Sequence, residues 1–310
     1  MLGVILLVPL VCAAPQPVEV GAYIQDIHNL DLKTHSYAAD LYLWFRWPAG
    51  GPDPAAAMEF MNAYELWGHT RTAEYDAPVE LSPGVNHQVV RVQGRFSSKF
   101  SLADYPLDHQ VLRFEFEDAH LSSDALEFHA VEVSRNPDLR LPGYLVGTPR
   151  ITVTQKSHPS TFGDTRMNAP GRYSHVRVEV DVWRPTAPYA LKLLLPVLCV
   201  LLATLLMFLF KSRHVDARVG MGITALLTVV ALQITLNNDL PDVEYLILMD
   251  KVYLFSYVFV LVSVALVVWT TRLDERGHQE RAETWNRRSL WGLLTVGTLC
   301  FAALLSSHAG

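Results

Sequence analysis

The sequence predicts an all-β, immunoglobulin-like sandwich followed by a bundle of four transmembrane helices. Three observations carry that expectation. From about residue 18 to 183, short alternating segments are separated by Pro- and Gly-containing turns, the pattern of a β-sandwich. At Arg184-Pro185 the composition changes abruptly and four apolar stretches follow. The second of these stretches carries polar residues on one helical face, which a lipid-facing helix does not tolerate cheaply.

Composition sets the outer bounds. With 310 residues, half of them hydrophobic, there is room for an ordinary domain plus a handful of membrane spans. A net charge of −6 excludes a broadly basic nucleic-acid binder, so no nucleic acid is expected as a partner. The three cysteines, Cys12, Cys199 and Cys300, all lie in apolar runs, and none falls between Ala13 and Leu198. The β part is therefore not a disulfide scaffold even if it is exported. Residues 1–14 (MLGVILLVPLVCAA) are too short to span a bilayer and read as a secretion signal with a small-residue cleavage site. Because no Lys or Arg precedes the apolar run, a buried first strand is the rival reading.

Residues 15–185 make the expected β domain. Residues 38–47 (AADLYLWFRW) are strand-like and aromatic, and residues 48–54 (PAGGPDP) form a turn. Residues 88–96, 111–116 and 175–183 alternate, with further turns at Ser82-Pro83-Gly84, Asn136-Pro137, Pro142-Gly143 and Ala169-Pro170-Gly171. Within residues 186–310 the expected helices cover about 189–210, 217–238, 245–271 and 290–306. Lys211, Arg213 and Arg218 lie between the first two, and Arg272, Arg276, Arg281, Arg287 and Arg288 between the last two. The link between the second and third has Asp239, Asp242 and Glu244 with no Lys or Arg. The positive-inside rule then puts the β domain, that acidic link and the C-terminus outside the cytoplasm.

The second span repays closer reading. Residues 219–236 carry no charge, yet Thr224, Thr228, Gln233 and Thr235 interrupt them. At helical spacing Asp216, Gly220, Thr224, Leu227, Ala231, Ile234 and Asn238 share one face. That face is explained if it lines water, which one helix cannot enclose, so several copies must surround a common axis. The competing explanation is that Thr and Gln bond neighbouring helices.

Residues 101–110 (SLADYPLDHQ) sit between two alternating strands and contain Tyr105-Pro106-Leu107-Asp108. This aromatic-Pro-hydrophobic-Asp run resembles the signature loop of the pentameric ligand-gated ion channels. It is similar to the bacterial type, which lacks the two flanking cysteines of the animal receptors. The resemblance covers nearly the whole chain. Residues 29–47 look like the first two strands and their loop, Arg184 like the arginine ending the last strand, Pro196 like the proline of the first span, and Asp239-Leu240-Pro241 like the end of the second. It implies a homopentamer in a bacterial inner membrane, with the N-terminal domain on the periplasmic side. Membrane lipids, permeating monovalent cations and a small ligand or protons would be its partners, without a cofactor, a metal or enzymatic activity.

The resemblance also implies roles. Asp216 aligns with the acidic selectivity ring of cation-selective relatives, where carboxylates concentrate cations and repel anions. Arg218, two positions on, must then point away from the axis. Leu227, Ala231 and Ile234 would form a hydrophobic constriction that closes by dewetting. Asp108 and Arg184 would meet where the β domain rests on the membrane, with Asp31 as a third member and Pro106 and Pro241 in the same gating junction. The link over residues 239–244 would be what the β domain pushes. For the agonist site, residues 162–173 would be the flexible loop, with Phe162 and Tyr173 as aromatics. Residues 72–75, with Glu74 and Tyr75, and 117–120, with Glu117 and His120, would be other principal-side loops, and Tyr42 would face them from the neighbour. Aromatics with a carboxylate suit an amine, although the Trp-x-Pro pattern is missing near Thr72 and Ala119 stands where an aromatic is common. Protons are the other trigger. Histidine as a residue type titrates in the useful range, and the β domain contains His35, His69, His87, His109, His120 and His175; Glu74, Glu117 and Asp124 could equally sense pH if buried. No metal-ligand spacing is present.

Two rival classes remain. A membrane-anchored hydrolase would need a nucleophile elbow, and no Gly-x-Ser-x-Gly turn exists. A non-conducting sensor or adhesin on a four-helix anchor leaves the polar stripe unexplained.

Overall fold

The computed structural model describes residues 14–161, 163 and 171–306. The expected signal lies outside these residues except for Ala14, and so does Phe162 of the expected ligand loop. The chain begins with two long strands, β1 (Gln16–Asp31) and β2 (Ser36–Pro48), and a single helical turn, α1 (Pro54–Ala57). The short strands β3 (Met58–Phe60), β4 (Thr70–Ala73) and β5 (Val79–Ser82) lead into β6 (Val85–Ser97) and β7 (His109–Asp118). Then come β8 (Leu126–Arg135), β9 (Leu145–Val146), β10 (Arg150–Ser157) and β11 (Arg172–Trp183).

These strands make two sheets. One has the order β4-β6-β2-β1-β8 with β5 also on β6, and the other β10-β11-β7-β3 with β9 also on β11. Between them lies an apolar core supplied by the inward residues of each alternating strand. Phe96 meets Phe114 edge-on with centroids 4.8 Å apart, and Phe116 meets Phe45 and Phe128 at 6.2 and 5.9 Å, joining the sheets through aromatic contacts. The Asn62 amide donates to the Ser97 and Arg113 carbonyls and its oxygen accepts from the Glu115 amide.

Strand β11 runs into the helical half: α2 (Thr186–Leu206) with a 3₁₀ turn at Met207–Leu209, α3 (Val215–Asn237), α4 (Leu248–Glu275) and α5 (Gln279–Ser306). Among the described residues, α2 with its turn, α3 and α4 are long and apolar enough to cross a membrane. The fourth span expected over 290–306 is only the apolar end of α5, which begins at Gln279. Glu280, Arg281, Glu283, Arg287 and Arg288 extend it because they are good helix formers, although a hydropathy reading sees no span there. The third helix starts at Leu248 rather than near 245 and continues to Glu275. Its first turn is closed by Asp250, whose carboxylate accepts from the Ile247 amide at 3.1 Å.

Helix α3 packs on α4 and α2, and its buried face includes Gly222, Ala225, Val229 and Leu236. At Gly222 a Cβ would sit 2.4 Å from Val264, so α3 and α4 approach as closely as a small residue allows.

Candidate functional site: pore face, junction and extracellular pocket

The face of α3 can be read residue by residue. Asp216, Gly220, Thr224, Leu227, Ala231, Ile234 and the capping Asn238 are all exposed within one subunit. The opposite face is buried against the other helices. Thr224, Thr228 and Thr235 donate to carbonyls one turn back in α3 itself, at 2.8 to 2.9 Å. Gln233 instead accepts from the Tyr257 hydroxyl of α4 at 2.5 Å, so the interhelical reading holds for that residue alone of the four. Asp216 lies in the first turn of α3, where the helix dipole favours a carboxylate. Arg218 is fully buried and turned into its own subunit.

At the junction, Arg184 Nε donates to Asp108 Oδ1 at 3.3 Å and Nη2 to the Tyr144 hydroxyl at 2.5 Å. Its guanidinium lies 5.1, 4.5 and 4.7 Å from the rings of Tyr105, Tyr144 and Tyr189, a cage of three π faces. Burial by itself works to lower the Arg184 pKa, but the Tyr144 phenol and the Asp108 carboxylate outweigh it and hold the group charged. Burial likewise raises the phenols of Tyr105 and Tyr144, keeping them neutral. Gln110 completes the set, donating to Asp108 Oδ2 at 2.8 Å and to the Ser101 carbonyl at 2.6 Å.

The same loop reaches the link between α3 and α4. The Leu102 amide donates to the Tyr245 hydroxyl at 3.0 Å, and the Leu248 amide donates to the Ala103 carbonyl at 2.9 Å. Pro106 is buried in that loop, preceded by a cis Tyr105–Pro106 bond. Pro241 lines a cavity of about 320 Å³ with Leu102, Asn237, Asp242 and Tyr245. Asp31 does not join the pair. Its carboxylate accepts from Thr34 Oγ1 and the Lys33 amide, both at 2.8 Å, and so closes its own β1–β2 turn. Burial works to raise that carboxyl, yet these bonds win and leave its pKa lowered.

The expected agonist residues divide between the sheets. Glu117, at the end of β7, is 2 % exposed. Its two oxygens face His158 Nε2 at 2.8 Å and His175 Nδ1 at 2.7 Å. Tyr173 on β11 lies 5.5 Å from the His158 ring. His120 is exposed, and its backbone amide donates to Asp118. Tyr42 belongs to the other sheet, and Glu74 and Tyr75 to the bend directly after its strand β4, so residues 72–75 stand with Tyr42 rather than with Glu117. Thr72 pairs with Arg91, which pairs with Tyr42. The Arg91 guanidinium covers the Tyr42 ring at 5.4 Å and is held by both oxygens of Asp40 at 3.0 and 2.6 Å. Tyr75 lies 6.4 Å from the His87 ring, and the Glu74 side chain is exposed. Of the carboxylates proposed to titrate when buried, Glu117 is buried, while Glu74 and Asp124 are exposed.

Among the histidines, His175 is 1 % exposed and its Nε2, 3.8 Å from Glu115 Oε2, has no hydrogen-bond partner among the described residues. Burial pushes its pKa below the ordinary histidine value against the pull of Glu117. Tyr144, Tyr189, Gln110, Tyr245 and His158 are participants that sequence reasoning missed. Gln110 stands inside the 101–110 run, Tyr245 directly after the 239–244 link and Tyr144 directly after the Pro142-Gly143 turn, but none of these local signals assigns the side chain a partner.

A sandwich whose last strand runs through a buried ion pair into membrane-length helices, one of which leaves a polar face unpartnered, defines a membrane protein with a β-sandwich head and a helical membrane domain. The family profile of the neurotransmitter-gated ion-channel transmembrane region matches residues 193–295. A proton-gated ion channel of Gloeobacter violaceus is 22% identical over 299 residues, covering 91% of this chain and 80% of the relative. The human gamma-aminobutyric acid receptor subunit rho-1 is 25% identical over 186 residues, 58% of this chain and 37% of that one. A serotonin-gated chloride channel of Caenorhabditis elegans is 23% identical over 214 residues, 67% of this chain and 41% of that one. The chain thus spans well under half of these two animal relatives. The membrane half is similar to the neurotransmitter-gated channel region, and most of the chain to members of the pentameric ligand-gated ion channels of the Cys-loop superfamily, which are channels and not enzymes.

Proposed function

We propose that the chain assembles as a homopentamer around α3 and forms a cation-selective channel opened by protons or a small extracellular ligand. The observation that carries this reading is the seven-residue face of α3, left exposed by its own subunit from Asp216 to Asn238. Five such faces around an axis would give a carboxylate ring at the Asp216 end and an apolar constriction at Leu227, Ala231 and Ile234. The Arg-rich segments support an orientation with the Asp216 end at the cytoplasm and the head outside, which in a bacterium would be the periplasmic side of the inner membrane.

Protons are the favoured trigger. An amine would need a free carboxylate and an open aromatic face, and here both oxygens of Glu117 face imidazoles while Arg91 covers Tyr42. His175, held against Glu117 and with its pKa lowered by burial, takes up charge below the ordinary histidine range. Its loading would shift the population between two arrangements of the Asp108–Arg184 junction and the 239–244 link, and so tilt α3.

The test is current across bilayers holding the purified protein, stepped through external pH under a NaCl gradient. Currents that appear with pH and reverse near the sodium potential are expected. Reversal at the chloride potential overturns the cation assignment, and silence at every pH with currents evoked by amines overturns the proton assignment.

A further inference from the structure

Arg218 is a cation with no counter-charge among the described residues. Its side chain is wholly buried, and no carboxylate among the described residues pairs with it. Neutral acceptors hold it instead. Nε donates to the Met207 carbonyl at 2.9 Å, Nη1 to Thr270 Oγ1 at 3.5 Å, and Nη2 to Asn286 Oδ1 of α5. The Phe208 ring lies 5.8 Å away. Asn286 cannot turn its amide round, because its Nδ2 donates to the Phe208 carbonyl. A flipped amide would present two donors to a guanidinium that only donates. One α5 side chain thus ties the turn after α2 to the start of α3.

The position gives this clasp its consequence. Arg218 follows Asp216 by two residues, about 200° around the helix axis, so one points inward while the other is exposed. A long cationic side chain that loses a buried acceptor moves its head to the nearest water. Here that is the end of α3 where Asp216 stands, with Lys211, Arg213, His214, Arg287 and Arg288 already exposed in the adjoining segments. A freed guanidinium would face the Asp216 carboxylate and cancel it.

We propose that Asn286 is a positioning residue for ion selection: by holding Arg218 inside each subunit, it keeps a ring of cations out of the mouth that Asp216 makes acidic. The proposal rests on the channel reading above for the location of that mouth. Asn286→Leu, which keeps the bulk and removes the acceptor, is expected to move the reversal potential in a NaCl gradient towards that of chloride. Arg218→Gln alone is expected to leave it at the wild-type value, and the double variant Arg218→Gln/Asn286→Leu to restore that value. A conducting Asn286→Leu with unchanged reversal overturns the proposal. So does an Arg218→Gln that becomes more cation-selective, since Arg218 would then already stand in the mouth.

The shift is read relative to wild type, so a wild type that prefers anions counts against the proposed function and not against the clasp. If no variant or wild type conducts, phenylglyoxal modification read by mass spectrometry decides. Arg218 protected in wild type and Asn286→Asp but modified in Asn286→Leu supports the clasp, and equal modification in all three overturns it.

Discussion

Arg184 Nε and Asp108 Oδ1 are 3.3 Å apart, both side chains almost withdrawn from solvent, at the point where the last strand of the sandwich becomes the first membrane helix. Seventy-six positions separate them in the chain. The pair lies between Gln110 on one side and a cage of Tyr105, Tyr144 and Tyr189 on the other, and the loop carrying Asp108 also bonds Tyr245 and Leu248. Head and membrane domain therefore share one connected polar network.

Removing either partner leaves a buried charge alone, which typically costs about 3–5 kcal/mol. Asp108→Ala and Arg184→Ala are expected to lower the thermal midpoint, to retain the pentameric mass in detergent, and to abolish or shift activation. Arg184→Lys should fail likewise, because an ammonium cannot serve the planar, three-faced cage. Normal activation in the two alanine variants would sink the coupling role.

In the proposed pore, Leu227→Thr replaces an exposed apolar group of the constriction by a hydroxyl that water wets. A leak current without any trigger is the expected result. Asp216→Asn should leave gating in place and reduce cation preference, seen as a reversal potential moved towards chloride.

His175 makes stability depend on pH in one direction. Its folded pKa lies below the ordinary 6.5, so the unfolded chain binds a proton that the folded chain refuses. Stability is therefore full above 6.5 and falls as pH drops through the window between 6.5 and the lowered folded value. Glu115 and Glu117 on β7 oppose that shift, and Lys156 on β10 adds to it. Thermal midpoints of wild type measured from neutral to mildly acid pH should fall more steeply than those of His175→Phe. Parallel curves would remove His175 as the source.

Two glycines separate backbone strain from packing. Gly143 and Gly84 both have left-handed backbones, φ +83° and +80°. A Cβ at Gly84 meets open space, whereas at Gly143 it would lie 2.6 Å from the Tyr189 hydroxyl of the junction cage. Gly84→Ala is expected to cost about 1–2 kcal/mol from conformation alone. Gly143→Ala should cost more in chemical denaturation and also perturb activation, which Gly84→Ala should not.

Much of the architecture was legible because it rests on local periodicity. Alternation in residues 38–47 and 175–183 marks strands wherever they pair, and an uncharged run such as 219–236 marks a helix of membrane length. The α3 stripe was legible for the same reason, since helical spacing alone decides which residues share a face. The start of α5 was missed because hydropathy registers only its apolar end, while its charged first turns are held by propensity.

Partnership was not legible in that way. Asp31 looked like a member of the junction, yet its carboxylate finds Thr34 and Lys33 within the same turn. Glu117 looked open to an amine, and two imidazoles from beyond β10 and from β11 occupy it. By itself, then, the sequence determined the order of strands and helices, the change of solvent at Arg184-Pro185 and the exposed face of α3, because each follows from patterns within a few residues. Only the tertiary structure decided which charges are paired, caged or turned inward. The fate of a buried charge depends on acceptors brought from distant elements, as Met207, Thr270 and Asn286 are brought to Arg218.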